Sequence, residues 1–153
     1  MASGEDASKL PYTLGVFKEA ARLYPPAFLL DRVAIDEVQI GDYLLPPKTF
    51  AFVAPYAMAR REDVWPEPLA FKPERFSPEA EAARPRGAYL PFGAGPRVCI
   101  GASFAMLEAQ LILAQIAQRF DFEFAEDTPL GYTFMTALRP ERPIKLRIRK
   151  VKP

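Results

Sequence analysis

The sequence predicts an α+β fold that is mainly α-helical. Residues 13–24 and 101–119 carry apolar side chains at helical spacing, and Pro25 and Pro26 prevent the first of these helices from continuing. Short apolar segments bounded by glycine and proline favour strands between and after the helices. With 153 residues, 50% of them hydrophobic, the chain is long enough to form one domain with a core.

The segments outside the two long helices are expected to be short and irregular. Strands are expected at residues 33–40, 43–45, 50–54, 120–125, 132–138 and 144–149, with a tight turn at Gly41. A helical turn is expected at 56–61, and the proline-rich stretch 65–90 is expected to be mostly loop. Residues 1–9 are small and polar and predict a disordered lead-in, so that residues 10–153 would form the domain.

Composition excludes several classes of function. The net charge of +1 gives no indication of nucleic acid or an anionic membrane as partner, and no apolar run reaches the roughly 18–20 residues of a membrane segment. The single cysteine rules out an internal disulfide and favours a cytoplasmic location. The absence of histidine removes histidine-ligated metals and every catalytic arrangement that uses an imidazole.

The only cysteine, Cys99, lies in a segment rich in glycine and proline, residues 92–101, which we call the cysteine loop. A phosphate-binding interpretation is weak, because a dinucleotide motif that begins at Gly93 would need glycine where Val98 stands. Pro96 also lacks the N–H group that a phosphate would require. A cysteine just before a helix is stabilised as a thiolate by the helix dipole, whereas a buried structural cysteine is the simpler alternative.

The neighbours of Cys99 favour a haem-thiolate site. Arg97 is placed to form a charge-assisted contact with a haem propionate. Gly95 and Gly101 allow a tight turn and a close approach to a flat macrocycle. Phe92 supplies an apolar shield that keeps water away from the sulfur.

These positions resemble the cysteine-loop signature of the cytochrome P450 family. The matching residues are Phe92, Gly95, Arg97, Cys99, Gly101 and Ala105. Residues 18–26 (KEAARLYPP) resemble the family's Glu-x-x-Arg helix, and residues 73–76 (PERF) resemble the element whose arginine completes its network. The resemblance implies that Glu19, Arg22 and Arg75 form a structural network that holds the cysteine loop in place.

The resemblance further implies the C-terminal part of the cytochrome P450 fold and the cofactor haem b (iron protoporphyrin IX), with Cys99 as the iron ligand. Arg32 stands where family members often place a second propionate-binding arginine. The segments that match substrate-lining positions are Ala27, Phe28 and Leu29 and the tip of a C-terminal hairpin, Met135, Thr136 and Ala137. Simple packing is the alternative for these apolar positions.

By resemblance the parent enzyme is a monooxygenase that inserts one oxygen atom of O2 into a C–H bond of a small apolar organic substrate. Its electrons would come from a ferredoxin or a flavin reductase. Two alternatives are a haem-thiolate peroxygenase or isomerase and a truncated fragment that is non-catalytic or non-functional. The resemblance covers residues 10–150 and lacks the family's oxygen-activating helix, so the isolated chain is expected to be inactive.

A cluster of arginines suggests a place for the electron donor. Arg60, Arg61, Arg84 and Arg86 are expected to form a basic docking patch for an acidic partner. Solvated loop charges are the alternative.

Overall fold

The computed structural model describes residues 4–127 and 129–151. Within these ranges the α-helices are α1 (Pro11–Leu23), α2 (Pro55–Met58), α3 (Pro78–Ala83) and α4 (Ala102–Ala117). The strands are β1 (Leu30–Val33), β2 (Val38–Ile40), β3 (Tyr43–Leu45), β4 (Phe50–Val53), β5 (Phe120–Phe124), β6 (Tyr132–Phe134), β7 (Leu138–Pro140) and β8 (Leu146–Lys150). Three 3-10 helices span Gly4–Lys9, Pro73–Phe76 and Gly95–Arg97.

The strands form antiparallel pairs, β1 with β4, β2 with β3, β5 with β8 and β6 with β7. The predicted turn between β2 and β3 is confirmed, with Gly41 at a φ of 59°. The single strand expected over 33–40 is instead two strands. Val33 pairs with Phe50 while Val38 pairs with Leu45, and local alternation does not show this change of partner.

Helix α1 begins two residues earlier than predicted. Pro11 occupies its first turn, where a missing N–H costs nothing and the fixed φ already suits a helix. The helix ends at Leu23, before the proline pair, as expected. Its buried face carries Gly15, Glu19 and Arg22, and the charged members of this face belong to the site described below.

Residues 4–9 form a 3-10 helix, in contrast to the expected disordered lead-in. The buried side chain of Gln110 on α4 explains the difference, because its Nε2 donates to the carbonyls of Ala7 at 2.8 Å and Leu10 at 2.7 Å. A buried amide needs such partners, and these bonds tie the segment to α4. The first three residues of the predicted lead-in lie outside the described residues.

The core lies where α1 meets the Pro73–Phe76 turn. Leu23, Trp65 and Phe76 are buried there. A Cβ on Gly15 would lie 2.9 Å from the Pro73 carbonyl oxygen, so glycine permits this close approach. Helix α4 is apolar on several faces and leaves Phe104 exposed, a composition typical of a helix that is covered on all sides. Within residues 4–127 and 129–151, every helix is too short or too polar to cross a bilayer.

Candidate cofactor site

The cysteine loop is closed by its own backbone. The N–H of Cys99 donates to the Phe92 carbonyl at 2.9 Å, and that of Val98 donates to the Gly95 carbonyl at 3.0 Å. Gly93 and Gly95 adopt φ values of 75° and 69°, in the left-handed region that other residues avoid. The loop therefore presents Cys99 directly before α4, and the thiol is exposed.

The start of α4 lies next to the sulfur. The N–H of Ala102 donates to the Cys99 carbonyl at 3.3 Å, and no side chain caps the helix at Gly101. A Cβ on Gly101 would lie 3.8 Å from Cys99 Sγ, an ordinary contact, so the backbone there does not require glycine. The glycine instead leaves the space beside the sulfur open, at the positive end of the helix dipole.

Cys99 lines a cavity of about 650 Å³ between α1, β1 and the cysteine loop. The structure brings five other predicted site residues to the walls of this cavity, namely Ala27, Arg32, Phe92, Arg97 and Ala105. The other residues that line it are Phe17, Ala20, Ala21, Tyr24, Pro26, Leu30, Pro91 and Gly93. Segments that are distant in the sequence thus form one mostly apolar chamber with a thiol and two guanidinium groups on its walls.

The side chains of this cavity fit a haem group. A cysteine sulfur is a known axial ligand for haem iron, and apolar walls suit the macrocycle. The two arginines equal the two propionate groups of haem in number and are opposite to them in charge. The Arg32 side chain is exposed, and its Nη1 donates to the Asp31 carbonyl at 2.7 Å.

The remaining predicted residues lie outside the lining of this cavity. Gly95 and Gly101 shape the loop, as described above. The Phe28 ring contacts the Phe134 ring edge-on, with centroids 5.2 Å apart, beside the hairpin tip of Met135, Thr136 and Ala137. The Leu138 N–H donates to the Pro26 carbonyl at 3.0 Å. These contacts bring the Ala27–Leu29 segment and the hairpin together.

A buried ion-pair network lies behind the cavity. Glu19 and Arg22 are 0% and 2% exposed. Arg22 Nε donates to Glu19 Oε2 at 2.6 Å and Nη2 donates to Oε1 at 2.9 Å, in a two-pronged pair. Arg75 Nε lies 3.3 Å from Glu19 Oε1 as an ion pair, without the angle of a hydrogen bond. The structure therefore brings together the three residues that the sequence suggested.

Further hydrogen bonds satisfy this network. The Lys72 N–H donates to Glu19 Oε1 at 2.8 Å, and Arg22 Nη1 donates to the Ala59 carbonyl at 2.6 Å. Arg75 Nη2 donates to the carbonyl of Pro66 at 2.6 Å. Buried charges are tolerated when their remaining donors and acceptors find such partners. The network consequently ties the irregular segment 59–75 to α1.

The expected basic docking patch is wrong for Arg60 and Arg84, because both side chains point inward. Arg60 Nη2 donates to the Leu23 carbonyl at 2.9 Å, and Arg84 lies among aromatic rings with 11% of its side chain exposed. Burial lowers the pKa of both arginines. Arg61 is exposed but pairs with Asp63, so Arg86 is the most available cation of the four.

Comparison with known proteins assigns the family. The family model described as cytochrome P450 matches residues 2–148. The chain belongs to the cytochrome P450 family. It is 39% identical over 146 residues to cytochrome P450 3A27 of Oncorhynchus mykiss, covering 94% of this chain and 28% of that protein. It is 44% identical over 115 residues to cyclooctatin synthase of Streptomyces melanosporofaciens, covering 75% of this chain and 25% of that protein.

Solved structures confirm the predicted fold. The cytochrome P450DA heme domain superimposes with a TM-score of 0.92 and 27% identity, over 100% of this chain and 34% of that one. Cytochrome P450 CYP102L1 superimposes with a TM-score of 0.87 and 33% identity, over 96% of this chain and 33% of that one. The chain thus spans about a third of these solved P450 chains. The predicted cofactor, haem, is the cofactor that the family and its heme-domain structures indicate.

Sequence reasoning missed one cluster near the site. Trp65, Arg84 and Tyr89 pack together beside the ion-pair network, but the prolines around them predicted only loop. The single tryptophan was the available signal, because a large aromatic residue in a proline-rich stretch needs a partner surface to bury it.

Proposed function

We propose that this chain is the haem-binding, thiolate-side part of a cytochrome P450 monooxygenase, in which Cys99 would supply the sulfur ligand to the iron. The observation that carries the proposal is the cavity shared by Cys99, Arg97 and Arg32, backed by the Glu19 network. Because the chain spans 28% of its relative cytochrome P450 3A27, the reaction of the complete protein is part of the proposal.

Each cavity residue has a defined task in this proposal. When bound, haem supplies the family's oxygen chemistry, the transfer of one atom of O2 to an organic C–H bond. Cys99 would hold the iron through its sulfur, and Phe92 would limit the access of water to that sulfur. Arg97 and Arg32 bind the propionates, while Glu19, Arg22 and Arg75 hold the surrounding backbone.

Membership of the family suggests the class of substrate and the class of electron donor. A small apolar organic substrate is proposed to contact the Ala27–Leu29 segment and the hairpin tip, since both are mainly apolar. A ferredoxin or a flavin reductase is proposed as the electron donor, and the cytoplasm as the location. The basic patch suggested by sequence no longer supports a docking site, because Arg60 and Arg84 are engaged inside the fold.

We also propose that the 153-residue chain alone binds haem without turning over substrate. Exposed apolar side chains at the start of α4 favour an inactive chain: Ile100, just before the helix, is 105% exposed, and Phe104 in the helix is 69% exposed. Apolar side chains in such a row are a surface that folded proteins normally cover. Because Cys99, which lines the cavity, is itself exposed, water reaches the site and oxygen transfer is expected to fail.

Haem loading tests the proposal directly. The chain is titrated with haemin, reduced and exposed to carbon monoxide, and the Soret band is recorded. The native chain should give a strongly red-shifted band, which Cys99→Ala should lose and Arg86→Gln should retain, because Arg86 is exposed and away from the cavity lining. An unshifted band in the native chain, or the same band in Cys99→Ala, would contradict thiolate ligation.

Haem affinity tests whether Arg97 binds a propionate group. Arg97→Gln is expected to weaken haem affinity by about tenfold, the usual scale for a lost charge-assisted hydrogen bond, whereas Arg86→Gln should not change it. Equal affinities in all three chains would remove Arg97 from the cofactor site.

A further inference from the structure

Arg84 lies inside a cluster of aromatic rings that the proposed function does not use. The centre of its guanidinium lies 4.7 Å from the Trp65 ring centroid, 4.6 Å from that of Phe76 and 5.8 Å from that of Tyr89. Its Nη2 also donates to the Arg75 carbonyl, and its Nη1 lies 3.9 Å from Glu81 Oε1. Desolvating a guanidinium is costly, so this enclosure indicates a specific role for its contacts.

The Trp65 ring connects Arg84 to the ion-pair network. Trp65 lies within cation–π distance of both Arg84 and Arg22, whose guanidinium centre is 5.0 Å from the ring centroid. The Arg75 carbonyl that Arg84 binds belongs to the third member of the network. Arg84 therefore contacts the Glu19 network at two points, through a ring face and through a backbone acceptor.

Tyr89 connects Arg84 to the cysteine loop. Its ring packs against Phe76 with centroids 4.8 Å apart, and its hydroxyl donates to the Lys18 carbonyl of α1 at 3.0 Å. The chain then runs through Pro91 to Phe92, whose carbonyl accepts the Cys99 N–H at 2.9 Å. Tyr89 thus fixes the chain three residues before Phe92. The restricted φ of Pro91 limits how far the backbone can move between Tyr89 and the Phe92 carbonyl.

We propose that Arg84 is a positioning residue for the cysteine loop, acting through Trp65 and Tyr89 to hold the Phe92 carbonyl where it binds the Cys99 N–H. This proposal rests on the proposed function only in assigning the cysteine loop as the iron-binding loop. The contacts of Arg84 themselves do not involve haem. Arg84 is not a docking cation in this view.

The exchange rate of the Cys99 amide with solvent tests this in the complete chain without haem. Hydrogen exchange by NMR is compared in the native chain, Arg84→Met, Arg84→Lys and the control Arg86→Met. The Ala125 amide, which donates to Lys145 at 2.9 Å between β5 and β8, serves as the reference. Trp65 emission reports the cluster itself, because it is the only tryptophan.

Arg84→Met should raise the Cys99 exchange rate by about tenfold or more, because it removes the hydrogen bond that the charged guanidinium donates to the Arg75 carbonyl, together with the cation–π contacts. Arg84→Lys should give a smaller increase, since lysine keeps the positive charge but lacks the planar guanidinium group. Ala125 exchange should stay constant, as should both amides in Arg86→Met. Trp65 emission should shift in both Arg84 variants.

Two outcomes would overturn the proposal. An unchanged Cys99 rate alongside a shifted Trp65 emission would confine Arg84 to its own cluster. Equal acceleration at Cys99 and Ala125 would mean that it acts on global stability alone. Should Arg84→Met fail to fold, Arg84→Lys carries the same comparison. A chain that never bound haem would leave this test intact, so the two proposals fail separately.

Discussion

Two regions of this protein differ in how completely the chain itself covers them. Around Glu19 and Arg22, the charged side-chain atoms have hydrogen-bond partners within the chain, and Trp65 is buried beside them. Around Cys99, Ile100 and the outer face of α4, the side chains are exposed. The chain buries its own ion-pair network but leaves exposed the surface that we propose binds the cofactor.

The difference has an energetic basis. Buried charges must be paired inside the chain, because nothing arriving later could offset their desolvation during folding. Apolar side chains such as Phe104 can remain in water at a modest cost until another surface covers them. Stability should therefore depend on the first region, and cofactor binding on the second.

The largest expected effect is in the buried network. Glu19→Gln leaves the Arg22 guanidinium buried without a carboxylate, and the unfolding free energy is expected to fall by about 3–5 kcal/mol. Urea denaturation measures the loss. Glu37→Gln is the matched control, because Glu37 is exposed and should change stability by less than about 0.5 kcal/mol. Equal losses in the two variants would contradict the structural role of the network.

Close packing at Gly15 gives the next effect. Gly15→Ala gains about 1 kcal/mol of helix propensity but pushes a Cβ to 2.9 Å from a backbone oxygen of Pro73. Overpacking of this kind costs about 1–3 kcal/mol, so a net destabilisation is expected in thermal or urea unfolding. Gly4→Ala, with no neighbouring atom within 4 Å, should not destabilise the chain. A stabilised Gly15→Ala would mean that α1 and the Pro73–Phe76 turn lie farther apart.

The dependence of stability on alkaline pH tests the burial of Tyr89, and a smaller effect is expected than for Gly15→Ala. Burial raises the pKa of Tyr89 above its ordinary value of 10.0, so its contribution to stability is complete below pH 10 and is lost as the pH rises above it. Tyr89→Phe should lower stability at pH 8 by about 1 kcal/mol through the lost bond to Lys18, and should flatten the decline above pH 10. Parallel pH profiles for the two chains would show that Tyr89 is not buried.

The smallest expected effect on stability is that of a substitution on the exposed face of α4. Phe104→Ser should change the unfolding free energy by less than about 0.5 kcal/mol, since its side chain is already in water. Leu23→Ala, a buried comparison, should cost about 2–5 kcal/mol. Sedimentation should show less self-association of Phe104→Ser. A loss in Phe104→Ser as large as that in Leu23→Ala would show that this face is already covered.

Local pattern predicted the parts of the fold that local forces determine. The apolar spacing of α1 and α4 and the proline pair after Tyr24 placed both long helices to within two residues. The pairing of β1 with β4 could not be predicted locally, because it joins residues that are between 17 positions (Val33 and Phe50) and 23 positions (Leu30 and Val53) apart, across another hairpin. The 3-10 helix at Gly4–Lys9 depends on Gln110, about 100 residues away, and so could not be inferred from the segment itself.

The residues of the candidate site also differ in whether a local sequence pattern indicates them. Cys99, Arg97 and Phe92 were suggested by one short loop, whose spacing carries its own chemical meaning. Arg75 and Arg32 were suggested by family resemblance alone, since no local signal ties them to Cys99. Arg84 was interpreted as a surface charge, because a sequence does not show that aromatic rings from three separate positions enclose it.

X-ray absorption at the iron edge of the haemin-loaded chain tests the central claim most directly. The account predicts a sulfur ligand to iron in the native chain that is absent in Cys99→Ala. Coordination by nitrogen and oxygen alone in the native chain, or a sulfur signal that persists in Cys99→Ala, would contradict the assignment of Cys99.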